Sequence, residues 1–128
     1  MNQLSGYVEI EMGGESLPFK FGTNCWALFC ERRKIDFYQI ESTGVFGEVK
    51  DGVIVKMPDF FALRDLYYSA HVSASRSKGV QPKAIEVFSD LLDETEGAIV
   101  KLQEAMLTAK VMGFSITSLA REGKDANF

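Results

Sequence analysis

Two alternating segments around a pair of glycines constrain the fold of this chain more than any other feature. Polar and apolar residues alternate over residues 7–12 and again over 15–21, and Gly13-Gly14 joins the two runs. This pattern predicts an antiparallel β-hairpin with a two-residue turn, because glycine readily adopts the positive φ angles that such a turn requires. The apolar face of the hairpin is predicted to consist of Val8, Ile10, Met12, Leu17, Phe19 and Phe21.

A helix is predicted directly after this hairpin, over about residues 24–34. Trp26 and Phe29 lie three residues apart in this segment and begin an apolar stripe. Such spacing places the two side chains on one face of a helix. Thr23 or Asn24 can cap the N-terminus with a side-chain oxygen.

A second hairpin is predicted at about residues 45–57. Asp51-Gly52 stands there between two runs rich in valine. Asp-Gly between such runs is a strong signal for a two-residue hairpin turn. Because an isolated two-stranded hairpin is only marginally stable in water, we expect it to pack on the rest of the molecule or to extend the first sheet.

Three further helices are predicted in the C-terminal half. The first begins at Pro58-Asp59 and runs to about Ser75, the second covers about Lys83–Leu92, and the third has Gly113 as its candidate end. On the first of them the predicted buried positions are Phe60, Leu63, Tyr67, Ala70 and Ala74, with Phe61 and Leu66 beside them. On the third they are Ile99, Leu102, Met106, Ala109 and Val111 or Met112.

These elements predict a single α+β domain over residues 1–113, in which the hairpins pack on a bundle of about four helices. Residues 114–128 are predicted to form a weakly ordered C-terminal tail that helps to hold a partner, because its last residues are polar and have little to bury. Phe114, Ile116 and Leu119 do not continue the preceding apolar stripe. The alternative is that these three side chains close the core.

The charge balance and the absence of long apolar segments restrict the partners. The chain has 14 Lys and Arg against 18 Asp and Glu, a net charge of −4. Nucleic acid is therefore not expected as the main partner, because phosphate binding favours a basic surface. No run of residues is long and apolar enough to predict a membrane span, and the N-terminus does not have the pattern of a signal peptide. The expected compartment is a reducing cytoplasm.

Residues that could carry a reaction are scarce. The chain has one histidine and two cysteines, and no motif for a metal, a cofactor or a nucleophile–base pair. His71 is interpreted as a core-edge or surface residue, and Cys25 and Cys30 as free thiols. We therefore predict no enzyme, and no catalytic, cofactor-binding or metal-binding residue. An enzyme built from dispersed residues would instead show a deep polar cleft around His71 or Cys30.

The order of the segments resembles that of the tail assembly chaperones of long-tailed bacteriophages and prophages. The resemblance extends over roughly residues 6–112. Its motifs are patterns of apolar residues and small turns, and the segments that carry it are Leu17–Asn24, Ala27–Glu31, Leu63–Ala70, Lys83–Phe88 and Ile99–Leu102. Relative to the shortest members, the hairpin within residues 41–57 is an insertion.

The resemblance implies a non-enzymatic role in the cytoplasm of a bacterial host. Such chaperones bind the long, helical tape measure protein, help to recruit tail tube subunits and are absent from the finished virion. Self-association is expected as well. The alternative function is a structural head–tail connector or tail-completion protein. The candidate partner-binding residues in this chain are Met106, Met112, Phe114, Ile116 and Leu119.

Overall fold

The computed structural model describes residues 5–115, and it describes Val49 by its main chain alone. These residues form an α+β fold with three separate two-stranded antiparallel sheets. The strands are β1 (Tyr7–Met12), β2 (Glu15–Lys20), β3 (Glu48–Lys50), β4 (Val53–Lys56), β5 (Lys110–Val111) and β6 (Phe114–Ser115). The helices are α1 (Thr23–Arg33), a 3-10 helix at Phe37–Thr43, α2 (Phe60–Lys78), α3 (Ile85–Glu94) and α4 (Ala98–Leu107). The predicted fold class is confirmed.

The first hairpin forms as predicted. β1 and β2 pair with Ile10 opposite Leu17, and Gly13 and Gly14 have φ angles of 62° and 83°. Two successive positive φ angles define the turn whose twist matches the twist of paired strands. Ile10, Met12, Leu17 and Phe19 are buried and begin the hydrophobic core.

Helix α1 occupies the predicted segment, but it begins differently. Gly22 is its N-cap residue and no side chain caps the helix, so the prediction of a Thr23 or Asn24 cap is wrong. Both of these residues lie inside the first turn, because the chain enters the helix directly from β2. Trp26 and Phe29 are buried, as their spacing predicts.

Helix α2 is the central element of the core. It packs against α1 and β2, and every residue from Asp65 to Ser75 is buried. The carboxylate of Asp59 accepts a hydrogen bond from the N–H of Ala62 and so caps the N-terminus of the helix. Gly79, with a φ of 70°, is the C-cap residue. The predicted end at about Ser75 was three residues short, because α2 continues through the exposed residues 76–78 until Gly79 adopts the left-handed conformation that ends it.

Two positions at the start of α2 contradict the predicted buried face. Phe60 and Phe61 are 67% and 71% exposed, whereas Ala62 and Leu66 are buried. Helical spacing identifies residues that share a face, but the neighbouring elements decide which face they cover. The first turn of α2 therefore presents two phenylalanines to solvent.

The last helix ends earlier than predicted. Helix α4 ends at Leu107, and Gly113 lies in the turn between β5 and β6. Ala109 and Val111 are buried, but they follow the helix rather than belong to it. None of the helices in residues 5–115 is long and apolar enough to cross a membrane.

The β5–β6 hairpin is joined to the N-terminal hairpin. Lys110 forms a parallel bridge with Gly22, and the N–H of Gly6 donates to Oγ1 of Thr108 over 3.2 Å. A Cβ atom on Gly6 would lie 2.8 Å from Cβ of Ala109, so the two segments touch where only glycine fits. Residues 114 and 115 thus belong to a strand, and the rest of the predicted tail lies outside the described residues.

The second hairpin forms around Asp51-Gly52, whose φ angles of 52° and 76° match the predicted turn. It does not extend the first sheet, and among the described elements no helix or other strand packs extensively on it. The expectation that it packs on the molecule is therefore wrong. Its base is held instead, since the N–H of Asp59 donates to the carbonyl of Gly44 over 2.8 Å.

Candidate protein-binding surface

Large apolar side chains are exposed in the chain segments on either side of the contact between Gly44 and Asp59. We refer to these side chains collectively as the junction surface: Phe37, Tyr38, Phe46, Val53, Ile54, Val55, Met57, Phe60 and Phe61. Each is at least 40% exposed, and Tyr38 reaches 81%. Soluble proteins seldom expose apolar side chains in groups, and such groups mark sites of interaction.

Three elements carry these side chains: the 3-10 helix, the second hairpin and α2. The 3-10 helix ends at Thr43, and its C-cap residue Gly44, with a φ of 78°, accepts the hydrogen bond from Asp59. Asp59 then caps α2, so that Phe60 and Phe61 begin the helix beside the base of the second hairpin. One main-chain hydrogen bond and one helix cap thus hold the start of α2 against the base of the second hairpin.

The core supports the junction surface from below. The ring of Phe46 lies 6.0 Å from the buried ring of Trp26, which in turn contacts Phe29 edge-on. The guanidinium of Arg64 lies over the ring of Phe61 at 5.6 Å. An aromatic ring with a cation on one face and solvent on the other is the amphipathic type of group that interfaces favour.

Sequence reasoning missed the junction surface because it assigned Phe60 and Phe61 to the core. One signal for it was present in the sequence. Val53, Ile54 and Val55 are three consecutive apolar residues, and successive residues of a strand point to opposite faces. In a hairpin with no second sheet beside it, one of those faces must be in contact with solvent or with a partner.

The predicted partner-binding residues separate into three groups. Met106 is 7% exposed and packs in the core, so it presents no surface to a partner. Met112 and Phe114 are 80% and 56% exposed and stand together on the β5–β6 hairpin. Ile116 and Leu119 lie outside the described residues.

A cleft of about 470 Å³ opens between α1, α2 and the segment before α3. Its lining consists of Leu28, Glu31, Arg32, Tyr68, Ser69, Val72, Arg76 and Pro82. The guanidinium of Arg32 lies 4.9 Å from the ring centre of Tyr68, whose hydroxyl donates to the carbonyl of Lys83 over 2.6 Å. Neither His71 nor Cys30 lines this cleft, so it is not the one that a dispersed active site would require.

His71 is buried in the core and not at the surface. Its Nδ1 lies 3.1 Å from the carbonyl oxygen of Pro18, and its Nε2 accepts the N–H of Lys83 over 3.1 Å. The ring stacks on Phe88 at 5.7 Å. Burial lowers the pKa of His71, the hydrogen bond to Pro18 opposes this shift, and the charge of Lys83 adds to it. The neutral imidazole therefore ties β2 to the segment before α3.

The two thiols are free, and neither is activated. Burial raises the pKa of the Cys25 thiol, and burial together with the nearby Asp36 raises the pKa of Cys30. A nucleophilic cysteine needs a lowered pKa, so both fit the role of small apolar residues. In the part of the chain that the structure describes, no three His, Cys, Asp or Glu side chains are grouped to hold a metal ion.

Asp65 forms the main buried ion cluster of the fold. Its carboxylate accepts hydrogen bonds from the guanidinium groups of Arg33, over 2.9 Å, and Arg64, over 3.1 Å. The Asp65 side chain is 8% exposed. The pair with Arg33 connects α1 to α2. These charges are used within the fold, which leaves the junction surface as the main feature open to a partner.

Comparisons of the chain with family models, with curated proteins and with solved structures returned no match. The resemblance to tail assembly chaperones therefore rests on the sequence motifs alone.

Proposed function

We propose that this protein is a non-enzymatic tail assembly chaperone of a long-tailed bacteriophage or prophage. It acts in the cytoplasm of the bacterial host, where it binds the tape measure protein and helps to recruit tail tube subunits. The observation that carries the proposal is the junction surface, on which nine large apolar side chains are exposed. The sequence resemblance supplies the identity of the partners.

An exposed apolar surface is what capture of a long helix requires. An amphipathic helix binds by laying its apolar face against apolar side chains of its partner. Met57, Phe60 and Phe61 are large and exposed, and the flexible side chain of Met57 can adjust to different helix faces. Covering one such side chain contributes roughly 1.5–3 kcal/mol, so several together offset the entropy lost on association.

The β5–β6 hairpin supplies a second contact in this proposal. Met112 and Phe114 are exposed on it, and Ile116 and Leu119 follow in the sequence. A long partner helix can engage both surfaces, which increases the overall affinity through effective concentration.

The test begins with the gene neighbourhood, in which a large coiled-coil protein should be encoded immediately downstream. That protein is co-expressed with this chain, and its soluble, co-purifying fraction is measured. Phe60→Ser with Phe61→Ser should reduce capture roughly tenfold or more, because two large contacts are lost. Val87→Ser with Val100→Ser is the matched control, since both valines are about half exposed and lie on α3 and α4.

Truncation after Ser115 removes Ile116 and Leu119 from the second contact, and in the same assay reduced capture with unchanged thermal stability is expected. Equal capture by the Phe60/Phe61 variant and the control would overturn the role of the junction surface. Mass spectrometry of purified virions tests the whole proposal. A chaperone is absent from the particles, whereas a head–tail connector or tail-completion protein remains in them.

A further inference from the structure

The β3–β4 hairpin stands away from the rest of the fold. Val53, Ile54 and Val55 are 62%, 61% and 54% exposed, although successive residues point to opposite faces. Both faces of β4 are therefore open, and no other described helix or strand packs extensively on the hairpin. Because two strands alone are marginal in water, this hairpin gains stability when a further strand is added to its edge.

The two edges of the hairpin are not equivalent. Glu48 pairs with Lys56, but Val49 pairs with Ile54, so β4 carries one extra residue between these pairs. A bulge of this kind disrupts the hydrogen-bond ladder and hinders pairing along the bulged strand. The regular edge that remains is that of β3.

The turn determines which main-chain groups of β3 are free. In a hairpin with a two-residue turn, the two flanking residues exchange their hydrogen bonds, and here they are Lys50 and Val53. The next residue, Val49, then directs its N–H and C=O away from β4. One donor and one acceptor of β3 are thus presented to an added strand.

The charges around Val49 are self-complementary. Glu48 and Lys50 flank it, both exposed. If a second copy of β3 pairs antiparallel across a two-fold axis at Val49, the two Val49 residues exchange both hydrogen bonds. Glu48 of each copy then lies opposite Lys50 of the other, and opposite charges directly across a sheet attract.

We propose that this protein self-associates through the edge of β3, in an antiparallel two-fold pair that joins two hairpins into a four-stranded sheet. A two-fold interface needs one surface that complements itself, and Glu48-Val49-Lys50 has this property. The proposal stands independently of the proposed function, because the edge pairs with a second copy whatever the junction surface binds.

The test is a charge exchange read by native mass spectrometry and light scattering over a wide range of concentration. Lys50→Glu places Glu opposite Glu in the homodimer, and Glu48→Lys places Lys opposite Lys. Each variant alone should dimerise about tenfold more weakly or not at all. Mixed in equal amounts, the two should form a heterodimer, because both cross-strand pairs are then attractive. Lys101→Glu, on α4, is the control that leaves association unchanged.

A variant that acts on the main chain makes the test independent of charge. Val49→Pro removes the N–H that faces outward and leaves the bonds between β3 and β4 in place, so it should yield a folded monomer. A wild-type chain that stays monomeric throughout overturns the proposal, and so does a mixture that forms no heterodimer. Should Val49→Pro remain dimeric while circular dichroism shows it folded, the edge of β3 is not the interface.

Discussion

Replacing His71 with Phe should destabilise the protein and change the pH dependence of its stability. Phenylalanine preserves the stacking on Phe88 but removes both ring nitrogens. The carbonyl of Pro18 then loses its partner inside the fold, as does the N–H of Lys83. A buried polar group left without a hydrogen bond costs about 1–3 kcal/mol. Because Lys83 is only partly buried, we expect a total loss of about 2–4 kcal/mol at pH 7.5.

The sign of the pH effect follows from the lowered pKa of His71 in the fold, whose main cause is burial. The unfolded chain binds the proton at higher pH than the folded chain does. The stability that depends on neutral His71 is therefore complete above the ordinary pKa of histidine and is lost as the pH falls through the folded value. One proton limits the slope to about 1.4 kcal/mol per pH unit.

The assay is urea unfolding followed by the fluorescence of Trp26, the one tryptophan of the chain, at a series of pH values. His71 is also the one histidine, so the difference between wild type and variant isolates its titration from that of the carboxylates. Tyr68→Phe is the control, because it removes a hydrogen bond to the carbonyl of Lys83 but no histidine. It should lower stability by about 0.5–1.5 kcal/mol and leave the pH slope unchanged. If the variant with Phe at position 71 keeps the wild-type slope, the proposed linkage is incorrect.

Two further predictions concern the local structure and use the same unfolding assay. Gly13→Val with Gly14→Val should cost about 1–3 kcal/mol because both residues have positive φ, whereas Gly14→Asn, with nothing within 4 Å of an added Cβ, should change stability little. An unchanged double variant would contradict the turn assignment. Asp65→Asn keeps the shape of the side chain but leaves Arg33 and Arg64 without their carboxylate, and about 1–2 kcal/mol should be lost. A midpoint equal to that of wild type would show that water replaces this ion pair at no cost.

The hairpin turns and the start of α2 could be predicted from residues close together in the chain. Gly13-Gly14 and Asp51-Gly52 identified both hairpins, and Pro58-Asp59 identified the start of α2. These features depend on φ preferences and on hydrogen bonds that span three or four residues. A short stretch of sequence contains all the groups that take part, so local patterns were enough to predict them.

The burial of particular faces was decided only by the tertiary structure. His71 is buried because α2 packs on β2, where its Nδ1 lies 3.1 Å from the carbonyl oxygen of Pro18, 53 residues away in the chain. That burial is the main cause of its lowered pKa. Phe60 and Phe61 follow an apolar pattern, but α1 and β2 pack on the part of α2 that begins after them. Periodicity shows which residues share a face, whereas the position of distant elements determines whether that face meets the core or solvent. The junction surface, which carries the proposed function, arises in this way from contacts that no local pattern contains.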